Sequence, residues 1–533
     1  MAFRRQPLSL YIAALMVFFF AAILPIGCMI GQFIIGILKQ PSQVGNVLID
    51  SRQLLLLNRS LLIALSATLV AFALGLPVAF ILAARDLPFR RLFYLLALIP
   101  VMIPSYVMAG AWIHLLSPSG FINQTLVNVF GPSVKLSLFS QAGCAWCLGI
   151  SFFPIVAIIV ATGLSKLDNN LQDIARLSTN RWGVFRYSTL PQILPHLIAA
   201  GCLVMIFVLA QYGVPSLLGI NTYPVEIFAQ FSAFYDDTMA VATAMPLVAL
   251  VVFLVLLQQW IMRSRDYVRI APSSETITSI RLNKRKNYAV AFLVVLFLLT
   301  TVLPLLSVLL YAKGPAKIFS ILNSYNNSIM TTSLLALLAA FFCTTLAFPI
   351  GQHLASSKGS STRILDTFCW LPIAIPGTVI ALGLIKMANV APGLQGSDSF
   401  GILLLFAYVG MFSAFSIRIF EAAYRRSDPN IAETGGIDCP RWYQRLFLID
   451  MPVHSGAIAT SLIVVFVLTI GELNATVLLI PPGRETLGIS IDNLLHYGAN
   501  STASALCLTE AALSIIAVTV GLHVFSGIKR VTS

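Results

Sequence analysis

Two carboxylic acids stand inside apolar runs of this sequence, and they are the first places to look for chemistry. Glu472 lies in Thr469-Ile470-Gly471-Glu472-Leu473-Asn474, and Glu510 lies in Leu508-Thr509-Glu510-Ala511. An ionisable group in hydrocarbon costs about 2.5–3.5 kcal/mol on insertion scales, so it marks either a path or a buried interhelical bond. Gln211, in Ala210-Gln211-Tyr212-Gly213, is the polar counterpart of Glu472 in an earlier run. Gln211, Glu472 and Glu510 are therefore the candidate path residues. For each the competing role is packing, and Glu510, near the start of its run, also fits an interfacial position. His114 and His496 are possible metal contacts, but each is single and close to the edge of an apolar run. Cys144 and Cys147 have zinc-like spacing without a second pair or a histidine partner, and read as small packing residues. No metal site and no catalytic Ser/His/Asp set emerges. The apolar runs show no dense cluster of Asp, Glu, Tyr and His.

The elements that must hold these residues follow from composition. The 533 residues are 58% hydrophobic and only 10% charged, with a mean hydropathy of +0.89. A soluble domain carries about 25% charged residues, so most of this surface must face lipid. Twelve apolar stretches reach spanning length: 8–38, 54–84, 92–116, 138–163, 193–220, 238–262, 288–311, 328–355, 364–390, 400–420, 454–480 and 505–525. Hydrocarbon cannot satisfy backbone polar groups, so the expected fold is all-α, a polytopic bundle of about 12 transmembrane helices. The first stretch is too long for the 7–15-residue apolar core of a signal peptide and reads as a retained span. With both ends assigned to the cytoplasm, only Lys39, Arg52, Arg59, Lys135, Lys313, Lys317, Lys386 and Arg484 of the 33 basic residues fall outside. That bias satisfies the positive-inside rule. The net charge of +13 is thus a mark of topology, and a nucleic-acid partner is not expected.

The chain also repeats itself. Pro77, Pro100 and Pro104 recur as Pro349, Pro372 and Pro376, each 272 residues on, while Pro191 recurs as Pro452 and Gln211 as Glu472, each 261 residues on. We read a six-span half at 1–262, a basic linker at 263–287 and a second six-span half at 288–533. Both halves run in the same sense, which places a path between them around an axis normal to the membrane. Pro100, Pro104, Pro372 and Pro376 are expected to kink or unwind the third helix of each half.

Uphill transport needs an energy source, and the sequence has no phosphate-cradling G-x-x-x-x-G-K-[S/T] loop. A partner surface is visible instead. Between the fourth and fifth stretches run Gln172-Asp173-Ile174-Ala175-Arg176-Leu177-Ser178 and Arg181-Trp182, ending at Leu190-Pro191. The second half offers Ile431-Ala432-Glu433-Thr434-Gly435-Gly436 and Arg441-Trp442, ending at Met451-Pro452. Each reads as a short amphipathic helix, a turn and another short helix, able to dock in a groove of a soluble subunit.

These loops resemble the E-A-A…G…Leu-Pro loop of binding-protein-dependent ABC importer permeases. In the first, Asp173-Ile174-Ala175 stands for the acid-Ala-Ala start, and Ser178 or Thr179 replaces the glycine. The second keeps Gly435 or Gly436. Several segments are similar to the fused permeases of ferric-iron importers: Ile99-Pro100-Val101-Met102-Ile103-Pro104-Ser105-Tyr106-Val107, Leu371-Pro372-Ile373-Ala374-Ile375-Pro376-Gly377-Thr378-Val379, and Pro481-Pro482-Gly483-Arg484-Glu485-Thr486-Leu487 with Asn493-Leu494-Leu495-His496-Tyr497-Gly498. The resemblance covers nearly the whole chain. It implies a bacterial inner-membrane permease working by alternating access, with two copies of a cytoplasmic ATPase and an external binding protein. ATP and Mg²⁺ would sit on the ATPase, and no cofactor is expected in this chain. Docking residues would be Asp173, Ala175, Ser178, Arg181, Trp182, Pro191, Ala432, Glu433, Gly435, Gly436, Arg441, Trp442 and Pro452. Selectivity for iron would then lie mainly in the binding protein. Permeases for thiamine, phosphonate or polyamine share this plan and remain alternatives. A secondary transporter would need a proton- or sodium-coupling cluster and would leave the paired loops unexplained.

Overall fold

The computed structural model describes residues 8–39, 41–42, 45, 50–118, 120–131, 135–167, 169–234, 236–263, 282–357, 359–390, 400–427, 441–481, 483–498 and 501–532. Among these, nine helices are long and apolar enough to cross a membrane, and twelve if each of three bent pairs is one span. They are spans 1 (Leu8–Lys39), 2 (Ser51–Ala83), 3 (Arg90–Met102, then Ser105–Leu116), 4 (Gln141–Leu164), 5 (Trp182–Leu209) and 6 (Thr238–Ile261). The second set comprises spans 7 (Asn283–Tyr311), 8 (Asn326–Ser356), 9 (Ser360–Ala374, then Gly377–Val390), 10 (Gly401–Arg426), 11 (Trp442–Val453, then Ser455–Ile470) and 12 (Ser501–Gly521). Spans 1–6 and 7–12 are called here the N-terminal and C-terminal halves. The side on which residues 263 and 282 stand is the linker side.

Proline shapes the same places in both sets. Ile103 and Ile375, each just before a proline, take the extended conformation that the following ring imposes. Spans 3 and 9 break there, bent by 89° and 103°. Pro104 and Pro376 occupy the breaks, whereas Pro100 and Pro372 lie inside the preceding helical arms. Among the described residues a subtler device recurs four times. Single π-helical turns at Phe19–Ile23, Phe185–Thr189, Leu298–Val302 and Leu446–Asp450 each end two residues before a proline: Pro25, Pro191, Pro304 and Pro452. Proline lacks an N–H for the carbonyl four residues back and collides with it, and the wider turn relieves both faults.

Close packing within each half rests on glycine. A Cβ on Gly75 or Gly149 would come 2.8 or 2.6 Å from an atom of the facing helix, Val156 and Val70 respectively, so spans 2 and 4 touch along their backbones. Gly351 and Phe420 repeat the contact between spans 8 and 10 at 2.6 Å. The first span of each half packs on the other half. A Cβ on Gly383 would lie 2.2 Å from the Pro25 carbonyl oxygen, and one on Gly410 would lie 2.3 Å from that of Ala21. The Tyr11 ring stacks on His353 at 4.6 Å. In return, Ser307 of span 7 donates to the Ala111 carbonyl at 3.2 Å, and the Tyr311 ring lies 3.9 Å from that of His114. At the linker side, both carboxylate oxygens of Asp86 accept backbone N–H groups, from Leu282 and Asn283, each at 2.8 Å. These bonds hold the Asp86 carboxyl below its ordinary value of 3.8 and tie the start of span 7 to the loop after span 2.

Candidate functional site: a polar seam and two exposed segments

Spans 5 and 11 each end in a break. Span 5 ends at Leu209 and span 11 at Ile470, and each chain then turns through a short helix, Gly213–Leu217 and Thr476–Leu479. The stretches 193–220 and 454–480 were expected to be continuous helices, and this is a correction. Apolar residues continue through both breaks, so hydropathy alone cannot see them. Gln211 and Glu472 mark the two breaks.

The breaks meet each other. The Tyr212 N–H donates to the Asn474 side-chain oxygen at 2.8 Å, joining the halves. Gln211 accepts from the Ser105 hydroxyl at 3.2 Å, which fixes one break beside the proline break of span 3. The Glu472 carboxylate accepts from the N–H groups of Ala475 (2.8 Å) and Thr476 (3.1 Å) and from the Thr476 hydroxyl (2.7 Å). It thus satisfies the free donors that open the Thr476–Leu479 turn. Thr476 also meets the Tyr408 hydroxyl at 2.8 Å. A Cβ on Gly377 would stand 3.1 Å from a Glu472 oxygen, so the break of span 9 presses on this carboxylate.

Further from the linker side, the seam continues with Tyr106 donating to Glu510 and with His114 Nε2 3.1 Å from the Ser504 hydroxyl. A short helix, Leu487–His496, closes over them. Its His496 reaches Ser216 of the other half at 3.3 Å and stands 3.6 Å from the Asp492 carboxylate. Burial pushes the Asp492 carboxyl up to about 6 against the opposing pull of His496. Glu510 and His114 are both buried among the helices. Among the described residues no three His, Cys, Asp or Glu side chains gather as a metal-holding group, but Tyr106, Tyr212, Tyr408, Glu472, Asp492, His496 and Glu510 are spaced along this one seam. They come from six separate stretches of sequence, and only the fold collects them. Among the described residues no guanidinium or ammonium group takes part in these bonds.

The two segments expected to dock a partner lie at the linker side. Helix Asn169–Ser178 is amphipathic in an inverted sense: Gln172 is buried, while Leu171, Ile174 and Leu177 face outward, Leu177 with 89% of its surface exposed. An apolar stripe left open on a polar face marks a contact surface. Asp173 pairs with Arg176 at 3.0 Å, Ala175 is half-buried, and the Ser178 hydroxyl donates back to the Ile174 carbonyl. The next helix starts at Arg181, and Asn180 caps it by accepting the Gly183 N–H at 2.8 Å. Exposed Trp182 stacks on Phe185 at 5.6 Å, and Pro191 is exposed beyond the π turn. In the second segment Arg441 donates to the Tyr443 hydroxyl, and Trp442, Phe447, Leu448 and Pro452 are exposed. Ala432, Glu433, Gly435 and Gly436 lie outside the described residues. Spans 9 and 10 are tied together by an ionic knot: Arg418 of span 10 pairs with Asp366 of span 9 and with Glu421, and lies 4.5 Å over the Trp370 ring.

Comparison with known proteins agrees with this geometry. Residues 75–267 match the binding-protein-dependent transport system inner membrane component family. The chain is 22% identical over 487 residues to an Fe(3+)-transport system permease of Haemophilus influenzae, covering 89% of this chain and 88% of that one. It is 21% identical over 520 residues to a ferric transport system permease of Actinobacillus pleuropneumoniae, covering 92% and 74%. A molybdenum transport system permease of Escherichia coli is 25% identical over 212 residues, covering 38% of this chain and 91% of that one. The chain is a multi-pass, all-helical permease of the binding-protein-dependent ABC importer class. It is a transport subunit rather than an enzyme, and its class works with an ABC ATPase and a substrate-binding protein.

Proposed function

We propose that this permease carries ferric iron, received from an external binding protein, along the seam between two six-span halves, 1–262 and 288–533, joined by the linker 263–287. The observation that carries the reading is the chemistry of the seam. Its ionisable groups are carboxyls, phenols and histidines, which suit a hard cation and repel an oxyanion. Relatives that match nearly the full length are named as ferric permeases, in keeping with that polarity. Both termini and the linker lie in the cytoplasm in this reading, as the basic residues require. Two ATPase copies, which hold the ATP and Mg²⁺, dock on the segments around Asp173–Trp182 and Arg441–Pro452. The broken spans at Pro104 and Pro376 let the halves tilt, and Gln211, Glu472 and Glu510 lie along the path.

The test begins with gentle extraction of the complex from its native membrane and mass spectrometry of what accompanies it. ATPase at two copies per chain, and a binding protein whose bound ligand is ferric iron, are the expected results. Uptake into proteoliposomes should then require ATP and iron-loaded binding protein. A binding protein carrying molybdate or a phosphonate would overturn the choice of cargo. Uptake without ATP would overturn the importer reading.

A further inference from the structure

Among the bonds across the seam, the one between Tyr106 and Glu510 is built differently from the rest. Tyr106 stands two residues past the Pro104 break, on the second arm of span 3, and Glu510 stands on span 12 of the other half. The two groups are almost completely enclosed, at 2% and 0% exposure. The arm enters a socket from which side chains are missing. A Cβ on Gly488 would lie 3.1 Å from the Tyr106 hydroxyl, one on Gly213 would lie 3.2 Å from its Cβ, and one on Gly471 would lie 2.8 Å from the Pro104 ring. The second oxygen of Glu510 is buried without a hydrogen-bond partner. A buried acid left half-satisfied is a poor way to glue two helices, since two apolar side chains would hold them better. It suits a contact that is made and broken, with the carboxyl better satisfied once the seam opens.

We propose that Tyr106 and Glu510 are the lock of the gate facing the binding protein: positioning residues whose bond holds the seam shut until loaded binding protein arrives. The proposal rests on the alternating-access reading above. Parting the halves on the side away from the linker must break this bond. Its strength therefore sets how often the empty permease opens and, through the docked ATPases, how much ATP is hydrolysed without cargo.

The test uses Tyr106→Phe, which removes the hydroxyl and leaves the ring in its socket, together with Glu510→Ala and Glu510→Gln. Cys507, 2% exposed and one turn before Glu510 on span 12, reports opening. The full-length permease in lipid nanodiscs is treated with N-ethylmaleimide and each cysteine is followed by peptide mass spectrometry. Loss of one hydrogen bond should speed Cys507 labelling roughly fivefold to tenfold in Tyr106→Phe and Glu510→Ala. Wholly buried Cys343, on span 8, should keep its rate. Glu510→Gln keeps an acceptor for the hydroxyl and should stay close to the parent. In the reconstituted complex, the same two lock-breaking variants should raise ATP hydrolysis without binding protein several-fold and lower the iron imported per ATP. A purely structural role would not raise it. Unchanged Cys507 labelling in both Tyr106→Phe and Glu510→Ala overturns the lock, as does an equal rise at Cys343, which would mean general loosening. Parent complex that hydrolyses no ATP would instead count against the importer reading, while the labelling still judges the lock.

Discussion

Replacing Leu177 by alanine should cripple ATPase docking and leave the permease itself intact. Leu177 lies at the end of helix Asn169–Ser178, on a face shared with Leu171 and Ile174, and 89% of its surface is open in the isolated chain. Nearly all of the side chain is thus available to be buried by a partner. Leu→Ala removes three carbons, worth about 0.8 kcal/mol each on burial, or about 2.4 kcal/mol. At about 1.4 kcal/mol per tenfold, the dissociation constant should rise by roughly 50-fold. Ile174 is 61% exposed, so part of its surface is already covered within the chain, and Ile174→Ala should weaken docking less. The assay is a titration of purified ATPase onto immobilised permease, with thermal unfolding of each variant as the control. An exposed substitution should shift stability by no more than about 0.5 kcal/mol. A dissociation constant within threefold of the parent would refute the docking argument. A large fall in melting temperature would show that Leu177 serves this chain's own fold.

Three further outcomes are expected. Gly383→Ala places a methyl where only 2.2 Å separates it from the Pro25 carbonyl, so span 1 must shift; a cost of about 1–3 kcal/mol should appear as a lowered melting temperature, larger than for Gly401→Ala, which meets open space. Asp86 has a folded pKa below 3.8, so its bonds to Leu282 and Asn283 stabilise the fold above that pH and lose effect as the pH falls through the folded value. The melting-temperature gap between parent and Asp86→Ala should be constant from pH 7 to 5 and shrink below about 3.8. Asp492 has the opposite sign, since its folded pKa is raised from 3.8 to about 6. Charging it weakens the fold between those values, so Asn at this position should raise the melting temperature at pH 7, with the gain vanishing below about 3.8.

Much of the architecture was legible because lipid restricts the choices. Apolar length marked the twelve spans, and paired prolines marked the breaks at Pro104 and Pro376. The breaks at Gln211 and Glu472 were not legible as breaks. There the backbone turns among apolar residues, and the donors it frees are satisfied by side chains such as Glu472 and Asn474 rather than by water. Asn474 was within reach, because a polar side chain two residues from a buried acid has a backbone to satisfy. Tyr106 follows a proline break, which was a hint of exposed backbone but not of a partner 404 positions away. The pairing of Tyr106 with Glu510, like that of His496 with Ser216, depends on which helix faces which across the seam, and periodicity does not carry that information. The inverted face of Asn169–Ser178 was half legible: its amphipathic pattern could be read, but the direction it points could not.

The exchange of first spans has a consequence for how the molecule is made. Span 1 is made before its partners, and the backbones it touches most closely, at Gly383 and Gly410, are synthesised roughly 360–390 residues later. At about 5–20 residues per second that is an interval of roughly 20–80 s. Throughout it span 1 sits in the bilayer with only lipid or a membrane chaperone against the face that Pro25 and Ala21 present. Nascent chains halted shortly after span 6 would therefore carry an unfilled helix face, making the unfinished permease the natural target of membrane quality control. Joining both sets of spans in one polypeptide keeps the missing partner close at hand when it finally arrives.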